Sequence, residues 1–426
     1  MRIWHLDTVG SKDAVDGVAS GLWVLAEAQA ALGHDVTLFV RTEPDDAARR
    51  SADKAGLRLV RIARSLRSPA LAAAPFRQRD VPDVYHFHGA WMPYHAFVST
   101  WLRHRHRPYV VTTHGGYGPE VLGSKRRRRA VYLRLLERPH LCGGGAAVTT
   151  VQGEDLFVLQ VTGPKCHIVN APWPAYRNGT PAPWAPDFDH PTAVFLGRFE
   201  VHQKGLDRLD RIAALCPGIT FELYGLAAPD DERELKRLMA AAPPNLRFNP
   251  PVHGEAKKEV LRRATLYIQP SRFEGFALAV ADALHAGTPV VASEHLGLTR
   301  ELVACSAGGA LPADALEAAA YLQRVVSDHD GLAAWSAAGR EFAVPRFDAK
   351  ASALAYLDIY ADVIARRARS RSVSWSRPRA ATASPPSRQA GSPPSWLRVG
   401  WAWPSWREIR ATWQRIREIG PKSAKR

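Results

Sequence analysis

The sequence predicts an α/β chain made of two doubly wound, Rossmann-like halves facing a common cleft. Short β-branched runs alternate with longer amphipathic stretches, the pattern of parallel strands joined by helical crossovers. That alternation occurs twice along the chain. Between the two series lies a joint crowded with Pro172, Pro174, Pro181, Pro183, Pro186 and Pro191, which cannot sustain a regular element. The 426 residues, 46% hydrophobic and 23% charged, suffice for a core in each half and exclude a disordered or collagen-like chain.

In the first half, residues 1–175, the segment 2–6 reads as a buried strand, 18–32 as a helix ended by Gly33, and 35–40 as the next strand. Segments 84–87, 109–113 and 146–151 follow as strands. In the second half, residues 190–345, strands are expected at 192–196, 220–224, 266–269 and 289–292, with helices between them. A last helix is expected over 346–368. From 369 to 395 the composition shifts to Ser, Pro, Arg and Ala, which reads as an extended linker, and 396–426 is a Trp- and Arg-rich amphipathic end.

Of the net charge of +16, the segment 366–426 carries +13, from 15 Lys and Arg against Glu408 and Glu418. The body is therefore near neutral, and the basicity belongs to the tail. Cys142, Cys166, Cys216 and Cys305 are scattered, without the close pairs of zinc or redox motifs, and read as reduced, packed thiols. The absence of an apolar run of about 18 residues and the polar His5 and Asp7 near the start favour a cytoplasmic protein without a membrane span.

Open α/β sheets bind ligands beyond the carboxyl ends of their strands, which directs attention to two loops. The segment 195–205 places Arg198 and Lys204 just after a strand, where two fixed cations could neutralise a diphosphate and stabilise it as a leaving group. A solvated basic loop is the plainer alternative. In 269–292 a strand runs into Glu274-Gly275, after which an Ala/Leu-rich helix is expected to start and to end at Gly287. The amides of Gly275, Phe276 and Ala277 at that helix start would form an anion site. Glu274 beside it, and Asp282 eight positions on, suit hydroxyl groups of a sugar and of a second polyol such as a ribose. Alternatively, Glu274 is a helix-start carboxylate and Asp282 a surface residue.

Across most of residues 1 to about 366 the sequence resembles the large retaining group of glycosyltransferases with the GT-B fold, family four (group 1). The resemblance rests on Gly17 in the first loop, Asp83-Val84-Tyr85-His86-Phe87-His88-Gly89, Thr113-His114-Gly115, Gly197-Arg198 with Lys204-Gly205, Glu274-Gly275-Phe276, Pro289-Val290-Val291-Ala292 and Arg346-Phe347. It implies that Arg198 and Lys204 hold the donor diphosphate, that Glu274 contacts sugar hydroxyls, and that His114 sits near sugar and acceptor. Gly17 would let the first loop approach the phosphates, and the 346–368 helix would cross back to the first half. Taken singly, His114, His86 and His88 could equally be strand histidines satisfied locally. The family usually has Glu where this chain has Asp282, a shorter side chain with less reach to a ribose. Only Gly297 and Glu301 remain of a later Gly-Gly-acid pattern, which leaves Glu301 as a further donor-site candidate.

Retention of configuration without a protein nucleophile is implied, with a UDP- or GDP-linked sugar as co-substrate and no other cofactor. A bound metal is not expected either: no acidic pair ends a strand of the second half, and Asp230-Asp231 falls at a helix start. The expected acceptor is a glycan or lipid-linked molecule, as in assembly of a polysaccharide or glycolipid. The different-class alternative is a non-catalytic relative that binds nucleotide or glycan and is recruited to a membrane assembly by its tail; the Asp282 departure favours it, and the retained Arg198, Lys204 and Glu274 oppose it. In the tail, Trp406, Ile409, Trp413 and Ile416 form one stripe flanked by Arg407, Arg410 and Arg417, which suits a helix in the headgroup layer of an anionic membrane. Docking on the body or on a partner helix, or contact with single-stranded nucleic acid, are the alternatives; nucleic acid is not the expected partner. The basic run Lys125–Arg129 reads either as a solvated helix face or as a second membrane-facing patch; the expected location is the cytoplasm, peripheral on the inner face of the cell membrane.

Overall fold

The computed structural model describes residues 1–8, 17–62, 81–118, 126–151, 153–175, 182–228, 231–294 and 296–375. Lys125, Pro181, Asp230, most of the expected linker and the amphipathic end lie outside them, and described side chains of the basic run begin at Arg129. The first sheet holds β1 (Arg2–Thr8), β2 (Asp35–Val40), β3 (Arg58–Arg61), β4 (Val84–His88), β5 (Tyr109–Thr112), β6 (Gly145–Thr149) and β7 (Ile168–Asn170). The second holds β8 (Thr192–Leu196), β9 (Thr220–Tyr224), β10 (Leu246–Asn249), β11 (Leu266–Gln269), β12 (Val290–Ser293) and β13 (Gly308–Leu311). All pairings are parallel, in the orders β3-β2-β1-β4-β5-β6-β7 and β10-β9-β8-β11-β12-β13.

The central strands β4, β5, β11 and β12 are buried along their whole length, as expected of sheets covered by helices on both faces. Four strands escaped the sequence reading: β3, β7, β10 and β13. All lie at sheet edges, and they are three or four residues long with polar or glycine positions such as Arg58, Arg61, Asn170, Arg247, Gly308 and Gly309. The cysteines are free, but Cys142 and Cys305 are exposed rather than packed.

The chain passes between the halves twice, side by side. After β7 the joint seats Trp173 in the first core, and Ala175 N donates to Phe347 O at 3.1 Å, where the chain returns. The helix His329–Phe347 packs on the second half through Ala343 and Phe347. Asp348 then caps the next helix, its Oδ1 accepting from Ala351 N at 2.8 Å. This helix, Ala349–Trp375, buries Tyr356, Tyr360 and Val363 in the first core and extends past the expected boundary at 368, into the segment read as linker.

Trp173 needs space that only a glycine provides. A Cβ at Gly21, within the helix Gly17–Ala31, would run into the indole. Gly21→Ala should therefore destabilise the protein by about 1–3 kcal/mol, read as a lower thermal midpoint; an unchanged midpoint would show that the indole can retreat.

Candidate active site

Both sheets reverse strand order between their first and fourth strands in chain sequence, β1 and β4 in one, β8 and β11 in the other. Crevices at such switch points are where open α/β sheets hold ligands. Here they face each other across a cleft of about 310 Å³. Its lining brings together Arg198, Lys204, Glu274, His114, Gly17, Gly275, Phe276, Ala277 and Asp282, nine of the residues singled out in the sequence. Glu301 is not among them: its Oε2 accepts from Arg346 at 2.7 Å.

Two glycines set the width of the cleft. Gly115, at φ 75°, follows β5, and a Cβ there would strike the main chain of Gly275; a Cβ on Gly275 would strike the carbonyl of His114. The main chains of the two halves thus meet in direct contact. The His114–Gly115 turn is held by Glu154, whose carboxylate accepts from Thr113 Oγ1 and Gly115 N and from Thr150 N at 2.8 Å. Burial pushes the Glu154 carboxyl above its ordinary range while these donors oppose the shift. No local pattern marks Glu154, because its partners come from two other loops.

The loop after β8 is fixed from several sides. Val201 N donates to Asp231 Oδ2 at 2.9 Å, so Asp231 ties down this loop as well as opening a helix. Arg272, just after β11, grips Asp207 with both guanidinium nitrogens at 2.7 and 2.8 Å and donates to His202 O at 2.7 Å. Lys204 Nζ then lies 2.5 Å from Glu274 Oε1, with both side chains largely buried. The same oxygen accepts from Ser271 Oγ at 2.9 Å and Gln269 Nε2 at 3.1 Å. Arg198 lies 3.1 Å from Glu200 and is half exposed. Asp282 pairs with Lys257 at 2.8 Å and is mostly buried, so it is not a surface residue.

The helix after Glu274 starts at Leu278, not at Gly275. The amides of Gly275, Phe276 and Ala277 belong instead to the extended turn before it, where Phe276 packs on the cores of both halves and edge-on to Phe347 at 5.3 Å. Among the described residues none of the amides of 275–279 has a hydrogen-bond partner, so five consecutive donors remain at the cleft for an anion. Gly17 opens the first helix rather than lying in the loop before it, close to Leu278.

Behind the cleft, His5, His86, His88 and His114 touch one another in sequence. His5, His86 and His88 offer ring nitrogens within 4.8 Å of one another, a spacing that could suit a metal ion. Every one of those nitrogens, however, already has a protein partner.

Residues 16–170 match the family described as glycosyl transferase 4-like domain, and residues 190–328 match that described as glycosyl transferases group 1. Each half thus matches its own part of one enzyme family, in the order the fold requires. The chain belongs to the group 1 glycosyl transferases. It is 30% identical over 181 residues to a phosphatidyl-myo-inositol mannosyltransferase of Mycobacterium tuberculosis, over 40% of this chain and 47% of that protein. The chain thus spans about half the length of the curated relatives it matches. Its fold is that of other GT-B glycosyltransferases. Sucrose-phosphate synthase from Thermosynechococcus elongatus superposes with a TM-score of 0.71 at 19% identity, over 86% of this chain and all of that one. Anabaena HepE in complex with UDP-glucose gives 0.65 at 17% identity, over 88% of this chain and all of that one.

The buried histidines give this group 1 glycosyl transferase a pH signature. Burial lowers His5 to about 4 and His114 to about 3, and holds His86 and His88 well below the ordinary value. Between those values and the unfolded value of about 6.5, the unfolded chain binds protons that the folded chain does not. The histidines' contribution to stability is therefore full above about pH 6.5 and is lost on acidification, each adding up to about 1.4 kcal/mol per pH unit, while the raised Glu154 carboxyl acts in the opposite sense. The thermal midpoint should drop between pH 7 and 5; a flat profile would contradict the burial of these rings.

Proposed function

We propose that this chain transfers a sugar from a nucleoside diphosphate donor, UDP- or GDP-linked, to a glycan or lipid-linked acceptor. The observation that carries the reading is the sorting of charge within one cleft. Arg198, Lys204 and the open amides of 275–279 suit a diphosphate, while Glu274 and Asp282 suit hydroxyl groups. Lys204 has three N–H groups and uses one on Glu274, so it can bridge the sugar-binding carboxylate to a phosphate oxygen. As the sugar–phosphate bond breaks, negative charge grows on the phosphate, and the preset cations and amides stabilise it.

Two carboxylates line the cleft among the described residues, Glu274 and Asp282, and each is already paired with a lysine on the nucleotide side. Among the described residues the first half contributes Gly17, Val18, Ser20, His114 and Trp173. In this reading transfer proceeds with retention and without a protein nucleophile, the departing phosphate accepting the proton of the incoming hydroxyl. The cationic cradle takes the electrostatic part that a divalent ion plays elsewhere, so no metal is required in this reading. The UDP-glucose in the HepE complex and the phosphatidyl-myo-inositol in the mannosyltransferase's name point the same way.

A membrane-facing role fits a surface of the first half. The helix Arg126–Tyr132 and the π-helical segment Leu133–Glu137 that continues it leave Val131 60% and Leu135 66% exposed, in the company of Arg129 and Arg134. Exposed apolar side chains rimmed by arginine suit an anionic lipid surface on the inner face of a membrane, with the Trp- and Arg-rich end as a second contact.

Two measurements test the reading. UDP-, GDP- and ADP-sugars should be screened for thermal stabilisation. One donor should raise the midpoint, and Lys204→Ala should lose that shift together with about 10²–10³-fold in transfer; no shift with any donor would favour a non-catalytic relative. Val131→Ser with Leu135→Ser, and deletion of 396–426, should each reduce co-sedimentation with anionic vesicles; unchanged binding in both would remove the membrane contact.

A further inference from the structure

A one-directional hydrogen-bond chain runs from the core of the first half to the cleft. His5 Nε2 lies 2.8 Å from Gln29 Oε1, His5 Nδ1 lies 3.0 Å from His88 Nε2, and His88 Nδ1 lies 3.3 Å from His114 Nε2. A neutral imidazole has one donor and one acceptor nitrogen, and an amide oxygen can only accept. With Gln29 turned so that Oε1 faces His5, His5 carries its proton on Nε2 and accepts at Nδ1. His88 must then donate from Nε2 and accept at Nδ1, so His114 must donate from Nε2. Its Nδ1 is left as a bare lone pair.

That nitrogen has no protein partner and is not a buried orphan, and His114 lines the cleft. The other end of Gln29 runs the same logic outward without conflict. Its Nε2 donates to Tyr360 OH at 3.3 Å, the phenol donates to His86 Nδ1 at 2.6 Å, and His86 Nε2 donates to Thr112 Oγ1 at 2.7 Å. Gln29 is thus the fixed dipole from which both arms take their direction. Trp173 stands edge-on to His114 at 4.5 Å and restrains its ring.

We propose that Gln29, His5 and His88 are positioning residues that hold His114 as the neutral Nε2–H tautomer, so that its Nδ1 presents a hydrogen-bond acceptor to a hydroxyl of the donor sugar. The proposal rests on the function proposed above and adds a demand on the substrate: the sugar carries a free hydroxyl where it faces His114, and a deoxy donor lacks the bond. Burial of the rings resists the protonation that would turn the acceptor into a donor.

The test uses the full chain labelled with ¹⁵N-histidine, with His114→Gln to assign the signal, and NMR to read each ring's tautomer. In the unmodified protein His114 should be a single neutral form protonated on Nε2, unchanged from pH 5 to 8. His88→Leu should give a mixture of tautomers and lower transfer roughly tenfold or more, with nucleoside diphosphate binding retained. His88→Gln, whose amide can accept from His114 and donate to His5, should restore the single tautomer and most of the rate. A proton on His114 Nδ1 in the unmodified protein, or an unchanged tautomer in His88→Leu, would overturn the proposal. So would stoichiometric binding of added zinc by these rings. The unmodified spectrum decides even if His88→Leu does not fold. The tautomer is read without turnover, so its failure stays separate from failure of the transferase reading, which the nucleotide screen tests.

Discussion

The site depends on the contact between two main chains, at Gly115 in one half and Gly275 in the other. Neither position tolerates a Cβ, and Gly115 also adopts a left-handed conformation that costs other residues energy. Through this contact the turn that carries His114 and the turn that carries Glu274 share one geometry. Glu154 from the first half and Ser271 and Gln269 from the second lock the two turns separately. Remote hydrogen bonds thus set the width of a cleft whose lining residues come from opposite halves of the chain.

The cleft's charges are compensated in pairs: Lys204 with Glu274, Arg198 with Glu200 and Lys257 with Asp282. A buried pair gains little net stability, and each partner becomes costly when the other is lost. The arrangement makes sense if a ligand enters between the members, phosphate oxygens joining the cations and hydroxyls joining the carboxylates. The Lys204–Glu274 pair then couples the two ends of the donor. In the proposed reading the neutral histidines behind it complete the pattern: the first half would bring dipoles to the sugar, and the second charge to the phosphates.

The central strands were legible because parallel strands covered on both faces are mostly apolar runs, as in Tyr109–Thr112 and Val290–Ser293. The edge strands were not: Arg58–Arg61 and Gly308–Leu311 lack such a run, and only their neighbours in the sheet make them strands. The cleft residues could be picked out because switch-point loops follow strands directly. The helix start was misplaced by one turn, since Gly275 serves the contact with Gly115 rather than the helix. Gln29, Glu154 and Trp173 were missed for one reason: each acts on partners far away in sequence, such as Tyr360, Gly115 and Gly21.

The central claim is that one donor spans both switch points, with its diphosphate on the loops after β8 and β11. Hydrogen–deuterium exchange of the full chain, with and without a bound nucleoside diphosphate sugar, tests it most directly. The account predicts slowed exchange together at 197–205, at 275–279 and at 113–116. Protection confined to one half of the chain, with the amides of 275–279 unchanged, would contradict it.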